Sequence, residues 1–238
     1  MESAPGEVRF DVSVVEGWPD DKQLLRNLNA IVFSGDRFPL AELPNPEASM
    51  AELKQLIEDG CGILCYHYAT GLTAGQVPAD GQHPLLDWMG GYFATRCEHH
   101  QSVARIFDRA RVEVRAPQHP VMCGVQPFDI FDEPYIKNYF GPQGLGNNVV
   151  ALASAKLPPE DPGDEVIAWA VERNNGGRGM AIVMPHFYRN WKVEDLRKMI
   201  LNGVAWVSHA SVPDGGIAVS LPGLETFRPE AVEPNSPR

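Results

Sequence analysis

Short apolar runs alternate with amphipathic stretches in the first third of the chain. Residues 30–33 and 62–66 are unbroken apolar runs, which is typical of strands buried on both faces of a parallel sheet. Residues 12–15 predict an earlier strand, and the leucines within residues 21–28 predict a helix. The order of strand, helix, strand, helix and strand predicts an α/β fold with a mostly parallel central sheet.

The second helix of this series has recognisable ends. Ser49 and Glu52 form a capping-box pattern that predicts its start, and Gly60 stands where a C-terminal cap is expected. Four apolar residues recur at helical spacing between these ends and are expected to face the core. They are Met50, Leu53, Leu56 and Ile57.

The later part of the chain is less regular. Residues 71–127 are punctuated by Gly, Pro and His and predict a long functional loop or lid. Residues 128–131 and 149–153 predict strands, and residues 165–184 predict a C-terminal β-hairpin turning at Asn174-Asn175-Gly176-Gly177. A last helix follows, with Asn190 as its predicted cap. Its predicted apolar face contains Leu196, Met199, Ile200, Val204 and Val207.

The pattern divides the chain into one domain and a tail. We expect a domain over residues 8–212 and a mobile tail over residues 213–238, because the tail is rich in Pro and Glu. A sheet of this type starts with a strand and helix before residues 12–15, so we expect either that the first strand is absent or that the chain is an N-terminally shortened form. The chain shows no targeting signal, and we expect a cytoplasmic protein unless the N-terminus is truncated.

Composition excludes several classes of protein. The 238 residues carry 20 Lys and Arg against 31 Asp and Glu, a formal charge of −11, which argues against a nucleic-acid groove. No apolar run reaches the roughly 18 residues of a membrane span, so no membrane partner is expected. The four cysteines form no CxxC pair, which argues against a disulfide scaffold and a structural zinc site. Cys61 and Cys65 lie in an apolar segment and are interpreted as core residues.

Several motifs, taken in order, resemble the ThuA-like (trehalose utilisation) family. The matching segments lie at residues 60–67, 88–92, 119–121, 132–135, 166–173 and 176–179, at His186 and Trp191, and at residues 196–206. The resemblance covers nearly all of residues 10–215. It implies a flavodoxin-like three-layer sandwich of the class I glutamine amidotransferase-like superfamily, and a role in carbohydrate catabolism with oxidised disaccharides as candidate substrates.

The chain departs from the amidotransferase relatives at their catalytic positions. Those relatives place a nucleophilic Cys at the turn after the strand at residues 62–66, where this chain has His67. They also carry a Glu two residues after the late His, whereas Tyr188 follows His186 here. An amidotransferase triad is therefore not expected. A thiol-dependent amidohydrolase using Cys65 and His186 stays open as an alternative, and requires Cys65 to be exposed and ionised.

Three titratable residues are predicted to form the catalytic site. In an open parallel sheet, ligands bind outside the C-terminal ends of the strands, and His67, His186 and Glu133 each follow a predicted strand. We expect the two imidazoles and the carboxylate to form an acid/base cluster, since imidazole titrates near neutral pH and a carboxylate can fix its tautomer. Zinc held by the same three residues is the alternative, without the local spacing of a known zinc motif.

Further residues are candidates for contacting a sugar substrate. Polar groups can hydrogen-bond sugar hydroxyls, and aromatic rings can stack on the apolar face of a sugar. The candidates are Asp36, Tyr68, Trp88, Tyr135, Arg173 and Trp191. Asp36 and Arg173 also have structural interpretations, as a loop cap and a surface ion pair. Trp169 and Trp206 are interpreted as core residues, and His99 and His100 as solvated.

Two functions follow from these residues. The first is an enzyme that hydrolyses or cleaves a small-molecule carbohydrate by His/carboxylate chemistry without a resident cofactor. The second is a non-catalytic module that binds a sugar or a protein, motivated by Met184-Pro185 and Tyr188, which depart from the ThuA-like pattern. Homo-oligomerisation is left open.

Overall fold

The computed structural model of the chain describes residues 8–36, 38, 43 and 45–220. Within these residues, three helices and nine strands alternate with short 3-10 turns. The elements are β1 (Ala30–Ser34), α1 (Pro46–Glu58), β2 (Gly62–Tyr66), β3 (Gly71–Thr73), α2 (Pro84–Met89), β4 (Phe93–Thr95), β5 (Phe107–Val114), β6 (Phe128–Asp132), β7 (Val149–Leu157), β8 (Gly163–Glu172), β9 (Arg178–Ile182) and α3 (Glu194–Val207).

Seven strands form the central sheet in the order β1-β2-β9-β8-β7-β5-β6. β1, β2 and β9 are parallel neighbours, whereas every later pair in this order is antiparallel. The predicted α/β class and the C-terminal hairpin, formed by β8 and β9, are confirmed. The parallel part of the sheet is narrower than predicted, because no α-helix lies between consecutive strands from β5 to β9. Three of these connections join antiparallel neighbours, and the fourth joins β6 to β7, which β5 separates in the sheet.

Helices cover both faces of the sheet near β9. A side chain at Gly179 would collide with the Trp88 carbonyl on α2, and Met180 packs against Gly203 on α3. Neighbouring residues of a strand point to opposite faces, so α2 and α3 lie on opposite sides of β9. The result is the three-layer arrangement that the sequence predicted. None of the helices in the described ranges has both the length and the apolar character needed to cross a bilayer.

The prediction of one long loop over residues 71–127 is wrong. This region contributes β5 to the central sheet, α2 to one face, and the parallel pair β3 and β4 as a small second sheet. The sequence pattern did not predict the strand β5, for a physical reason. A register shift between Phe107 and Ala110 interrupts its alternation, and charged residues occupy most of its exposed positions.

Two N-terminal predictions are also wrong. Residues 12–15 form no strand, and Val14 is 91% exposed, since no neighbouring strand in the described part of the chain pairs with them. Residues 22–27 form successive turns instead of a helix, with i→i+3 bonds such as Leu24 N–H to the Asp21 carbonyl. Local propensity alone does not hold a strand or a short helix without a packing partner.

The helix limits differ from the predicted ones. α1 begins at Pro46 after Asn45, so the capping-box prediction at Ser49 is wrong, although Leu53 and Ile57 are buried as predicted. α3 begins at Glu194 rather than after Asn190, and the Asn190 amide instead donates to the Phe131 carbonyl at 2.8 Å.

The core residues follow the sequence interpretation. Trp169 and Trp206 are buried, as are Cys61 and Cys65. The first residues of the predicted tail pack onto the domain, because Ile217 is buried and its N–H donates to Asn202 Oδ1 at 2.8 Å. Residues 221–238 of that predicted tail lie outside the described residues.

Candidate active site at the C-terminal rim of the sheet

The two predicted site histidines meet because their strands are parallel neighbours. β2 and β9 are in register from Ile63↔Gly179 to Tyr66↔Ile182. His67 directly follows β2 and His186 lies shortly after β9, so both reach the same edge of the sheet. Their ring centroids are 4.9 Å apart.

Glu133 reaches the same place from a distant strand. It follows β6, which lies four positions away from β9 in the sheet, and a flat sheet would separate those strands by about 19 Å. The successive antiparallel pairings make β6 run in the same direction as β9, so its C-terminal end points to the same rim. The Glu133 carboxylate lies 3.6 Å from His186 Nδ1. The sheet therefore curls to close this site.

Asp132 fixes the curled arrangement and was not among the predicted site residues. Its Oδ1 accepts N–H bonds from Glu133, His186 and Phe187 at 2.8, 2.7 and 3.2 Å. Asp132 Oδ2 is buried without a hydrogen-bond partner in the described chain. Burial raises the pKa of this carboxyl, and the three N–H donors oppose the shift. Asp132 thus ties the end of β6 to the segment after β9.

The catalytic candidates form one compact cluster. One ligand-type atom from each of His67, Glu133 and His186 lies within 4.8 Å of the other two. Glu133 Oε2 lies 3.9 Å from His67 Nε2. Side-chain exposure rises from 11% for His67 to 21% for Glu133 and 45% for His186. The cluster is therefore open to solvent on the His186 side.

His67 is the buried member of the cluster. Its Nδ1 lies 3.3 Å from the Tyr135 hydroxyl, and its backbone has a left-handed φ of +48°. Burial lowers the pKa of His67 to about 3, with the nearby His186 adding to the shift and the Glu133 backbone opposing it. The imidazole of His67 is therefore neutral at physiological pH.

Glu133 lies between the two imidazoles. Burial raises the pKa of its carboxyl, His186 lowers it, and the neighbouring Asp132 raises it further. A carboxylate with a raised pKa is a better proton acceptor than an ordinary surface glutamate.

Most of the predicted sugar contacts lie at the same edge of the sheet as the cluster. Tyr135 is buried beside His67, and burial raises its pKa, with Glu133, Tyr68 and Asp36 close enough to contribute. The Tyr68 hydroxyl bonds to Thr95 Oγ1 at 3.0 Å. Trp191 lies beside Tyr66, with ring centroids 6.0 Å apart, and the Tyr66 hydroxyl donates to the Pro185 carbonyl at 2.8 Å.

Two of the predicted contacts lie at the opposite edge, which corrects the sequence interpretation. Arg173 follows β8, which runs against β9, and therefore emerges near the start of β2. Its guanidinium donates to the carbonyls of Cys61, Trp88 and Arg178 at 2.6, 3.1 and 2.9 Å. Trp88 is itself buried in the core. Arg173 thus fastens the hairpin to β2 and α2 rather than binding a substrate at the rim.

The thiol-dependent alternative is not supported. Cys65 is fully buried within β2, and burial raises the pKa of its thiol far above the ordinary range. A buried neutral thiol is a poor nucleophile.

Two surface depressions lie away from the cluster. One, of about 290 Å³, is lined by residues near Lys137 and Pro162. The other, of about 400 Å³, lies near Gly60 and Asn175. Neither is lined by His67, Glu133 or His186.

Fold and site together define an α/β protein with a His/carboxylate cluster at the C-terminal ends of its strands. The ThuA family model, described as trehalose utilisation, matches residues 3–207. The chain therefore belongs to the ThuA family.

Solved ThuA-like structures share this fold. A ThuA-like protein from Bacteroides uniformis ATCC 8492 is 19% identical, with a TM-score of 0.55 over 78% of this chain and 71% of that one. Another from Parabacteroides merdae ATCC 43184 is 17% identical, with a TM-score of 0.57 over 90% of this chain and 83% of that one. A comparison with functionally curated sequences gave no match.

Proposed function

We propose that this protein cleaves an oxidised sugar or glycoside by proton transfer at the cluster of His67, Glu133 and His186. The observation that carries the proposal is the convergence of these three side chains, from three different strands, at one solvent-open point. The trehalose utilisation family supports a carbohydrate as the substrate.

The composition of the cluster favours elimination over direct glycoside hydrolysis. Most glycosidases flank the bond with two working carboxylates, whereas this cluster contains one, Glu133. The adjacent Asp132 is buried and already holds three backbone N–H groups. A single base is sufficient when a ketone in the sugar makes a neighbouring C–H acidic.

The proposed step needs one base and one acid. Glu133 takes a proton from the carbon between the ketone and the glycosidic carbon. That electron pair forms a C=C bond, the bond from the glycosidic carbon to oxygen breaks, and His186 gives the leaving oxygen a proton. The distance of 3.6 Å between Glu133 Oε2 and His186 Nδ1 is short enough for the proton to return after a small movement. His67 stays neutral, with its Nε2 3.9 Å from Glu133 Oε2.

Aromatic and polar groups around the cluster suit a sugar. The ring of Trp191 is partly exposed beside Tyr66 and offers a stacking surface. Asp36 is exposed and close enough to Tyr135 to influence its pKa, so its carboxylate can accept hydrogen bonds from sugar hydroxyls.

The test compares disaccharides that carry one ketone with their unmodified forms. We expect the ketone forms to be cleaved to an unsaturated sugar, and we expect His186→Ala to reduce turnover by roughly 10²–10⁴-fold. Equal cleavage of the unmodified forms would replace elimination by hydrolysis. The absence of turnover on every sugar would contradict the enzymatic proposal.

The non-catalytic alternative predicts a different result with the same variants. The departures at Met184-Pro185 and Tyr188 favour a module that binds a sugar without cleaving it. Saturable sugar binding that survives His67→Ala and His186→Ala, together with no turnover by the unmodified protein, would support that alternative.

A further inference from the structure

We propose that His67 Nε2, His186 Nδ1 and Glu133 Oε2 form a site for one divalent transition-metal ion, with Zn²⁺ as the probe. The inference deepens the proposed function, because it changes the group that acts as the base. The site itself stands on geometry and does not require a sugar to be the substrate.

The separations among the three atoms are close to those of a metal site. Ligands about 2.0–2.1 Å from a tetrahedral zinc lie about 3.3 Å from each other. Glu133 Oε2 lies 3.6 Å from His186 Nδ1 and 3.9 Å from His67 Nε2, and each of the three residues offers one ligand-type atom within 4.8 Å of those of the other two. Small side-chain rotations that bring the two imidazoles closer to the Glu133 carboxylate would give the distances of a zinc site.

A second observation points independently to a ligand. His67 Nε2 is buried and lacks a hydrogen-bond partner throughout the described ranges, although it faces the carboxylate of Glu133. Buried polar atoms normally have a partner, and a cation shared with Glu133 and His186 would supply one.

The surroundings support metal ligation by His67. Histidine ligands commonly donate their second ring N–H to an oxygen, which fixes the tautomer. The Tyr135 hydroxyl lies 3.3 Å from His67 Nδ1 and is placed to accept such a bond. Asp132 holds the backbone N–H groups of the other two ligands, Glu133 and His186.

The donor set indicates the class of ion and its use. Two imidazoles and one carboxylate favour zinc and related transition metals, whereas Mg²⁺ and Ca²⁺ prefer oxygen ligands. Three protein ligands leave a fourth position for water, as in catalytic zinc sites, and the exposure of His186 directs it to solvent. If an ion were bound, His67, Glu133 and His186 would hold it, and it would supply a water of lowered pKa. That water could replace Glu133 as the base and return the proton to the leaving oxygen.

The experiment measures metal binding separately from turnover. The full chain is stripped with a chelator and titrated calorimetrically with Zn²⁺ and, in parallel, Mg²⁺. We expect one Zn²⁺ per chain and no Mg²⁺ binding, at least tenfold weaker Zn²⁺ binding in His186→Ala and Glu133→Gln, and weaker binding in Tyr135→Phe. His67→Asn is the third ligand variant, since Asn tolerates the left-handed backbone at that position.

A matched control separates the site from surface histidines. His209→Asn removes an exposed imidazole at the far end of the molecule, beside Gly60, and should leave Zn²⁺ binding unchanged. Binding that is absent, or equal in the ligand variants and the unmodified protein, would overturn the site. Zn²⁺ binding without turnover of any sugar keeps the site and contradicts the proposed function. Full turnover by the chelated protein, with no Zn²⁺ binding, contradicts the metal site and keeps the proposed function.

Discussion

The buried side chain of Asp132 holds the candidate site together without being part of its exposed surface. It contributes no surface to the rim, yet its Oδ1 accepts backbone N–H groups from Glu133, after β6, and from His186 and Phe187, after β9. A fully buried Asp is rare unless it is paired or hydrogen-bonded. Its function here is therefore to position Glu133 and His186.

Two replacements of Asp132 distinguish the effect of losing the hydrogen-bond acceptor from the effect of losing the negative charge. Asp132→Ala leaves three N–H donors without their acceptor, that of Phe187 buried and those of Glu133 and His186 partly buried, and should lower the free energy of unfolding by about 3 kcal/mol. Asp132→Asn keeps an acceptor in the same position and should lose less than half as much. Urea unfolding of both variants measures this, and equal losses would contradict the positioning role.

At the residue scale, strand ends were the informative part of the sequence. His67, Glu133 and His186 were all identified because each follows a predicted strand, and ligands bind outside the C-terminal ends of the strands in an open parallel sheet. Arg173 was misplaced although the predicted hairpin already makes its strand β8 antiparallel to β9, which puts Arg173 at the edge of the sheet opposite His186. Asp132 lies in the motif at residues 132–135 but was not chosen as a site residue, because the motif does not show that its carboxylate binds backbone N–H groups.

At the scale of elements, two short helices begin with the same device. His83 precedes α2 and His119 precedes a 3-10 turn at Pro120–Met122, and each is followed by Pro. In both, the histidine Nδ1 accepts the N–H of the residue after the proline, at 3.2 Å. The cap requires an unprotonated Nδ1. These two helix starts are therefore sensitive to acid.

The loss of these histidine caps in acid should be measurable as a dependence of the free energy of unfolding on pH. Burial lowers the pKa of His83 to about 4 and that of His119 to about 4, the latter with help from Arg178. Between pH about 6.5 and 4 the unfolded chain binds protons that the folded chain does not. The contribution of these two caps to the free energy of unfolding should therefore fall as the pH is lowered through this range, and level off below it.

Asparagine provides the matched test, because its side-chain oxygen caps a helix without titrating. The double variant His83→Asn/His119→Asn should show a shallower loss of stability between pH 7 and about 4, measured by urea unfolding at a series of pH values. An unchanged slope would contradict the assignment. His209→Asn, at an exposed histidine, serves as the control.

Helices and strands were predicted with uneven success for identifiable reasons. The strands β1 and β2 were found because their apolar runs are unbroken. The predicted burial on both faces is right for β2 and wrong for β1, which is the edge strand and leaves Val32 47% exposed. α1 starts earlier than predicted because Pro46 suits the first helical turn, while the Ser49 pattern lies inside it. β5 was missed because only one face of it is buried and its register shifts.

At the scale of the whole molecule, the curl of the sheet is the feature that creates the site. It brings the end of β6 to the ends of β2 and β9, across four strand positions. Arg173 supports the opposite edge by binding carbonyls from three different segments. One rim therefore concentrates titratable groups, while the other is closed by structural hydrogen bonds. The pairing of distant strands depends on the complete topology, which explains why local sequence patterns did not show the curl.

The most direct measurement of the central claim is the cleavage rate of a ketone-bearing disaccharide by Glu133→Gln and Arg173→Lys, each corrected for its folded fraction. Glu133→Gln keeps the shape of the cluster but removes its carboxylate, so its rate should fall by roughly 10²–10⁴-fold. Arg173→Lys should unfold more easily, by about 2 kcal/mol, and keep the rate of the unmodified protein. Equal rates in the unmodified protein and Glu133→Gln would contradict catalysis at this rim.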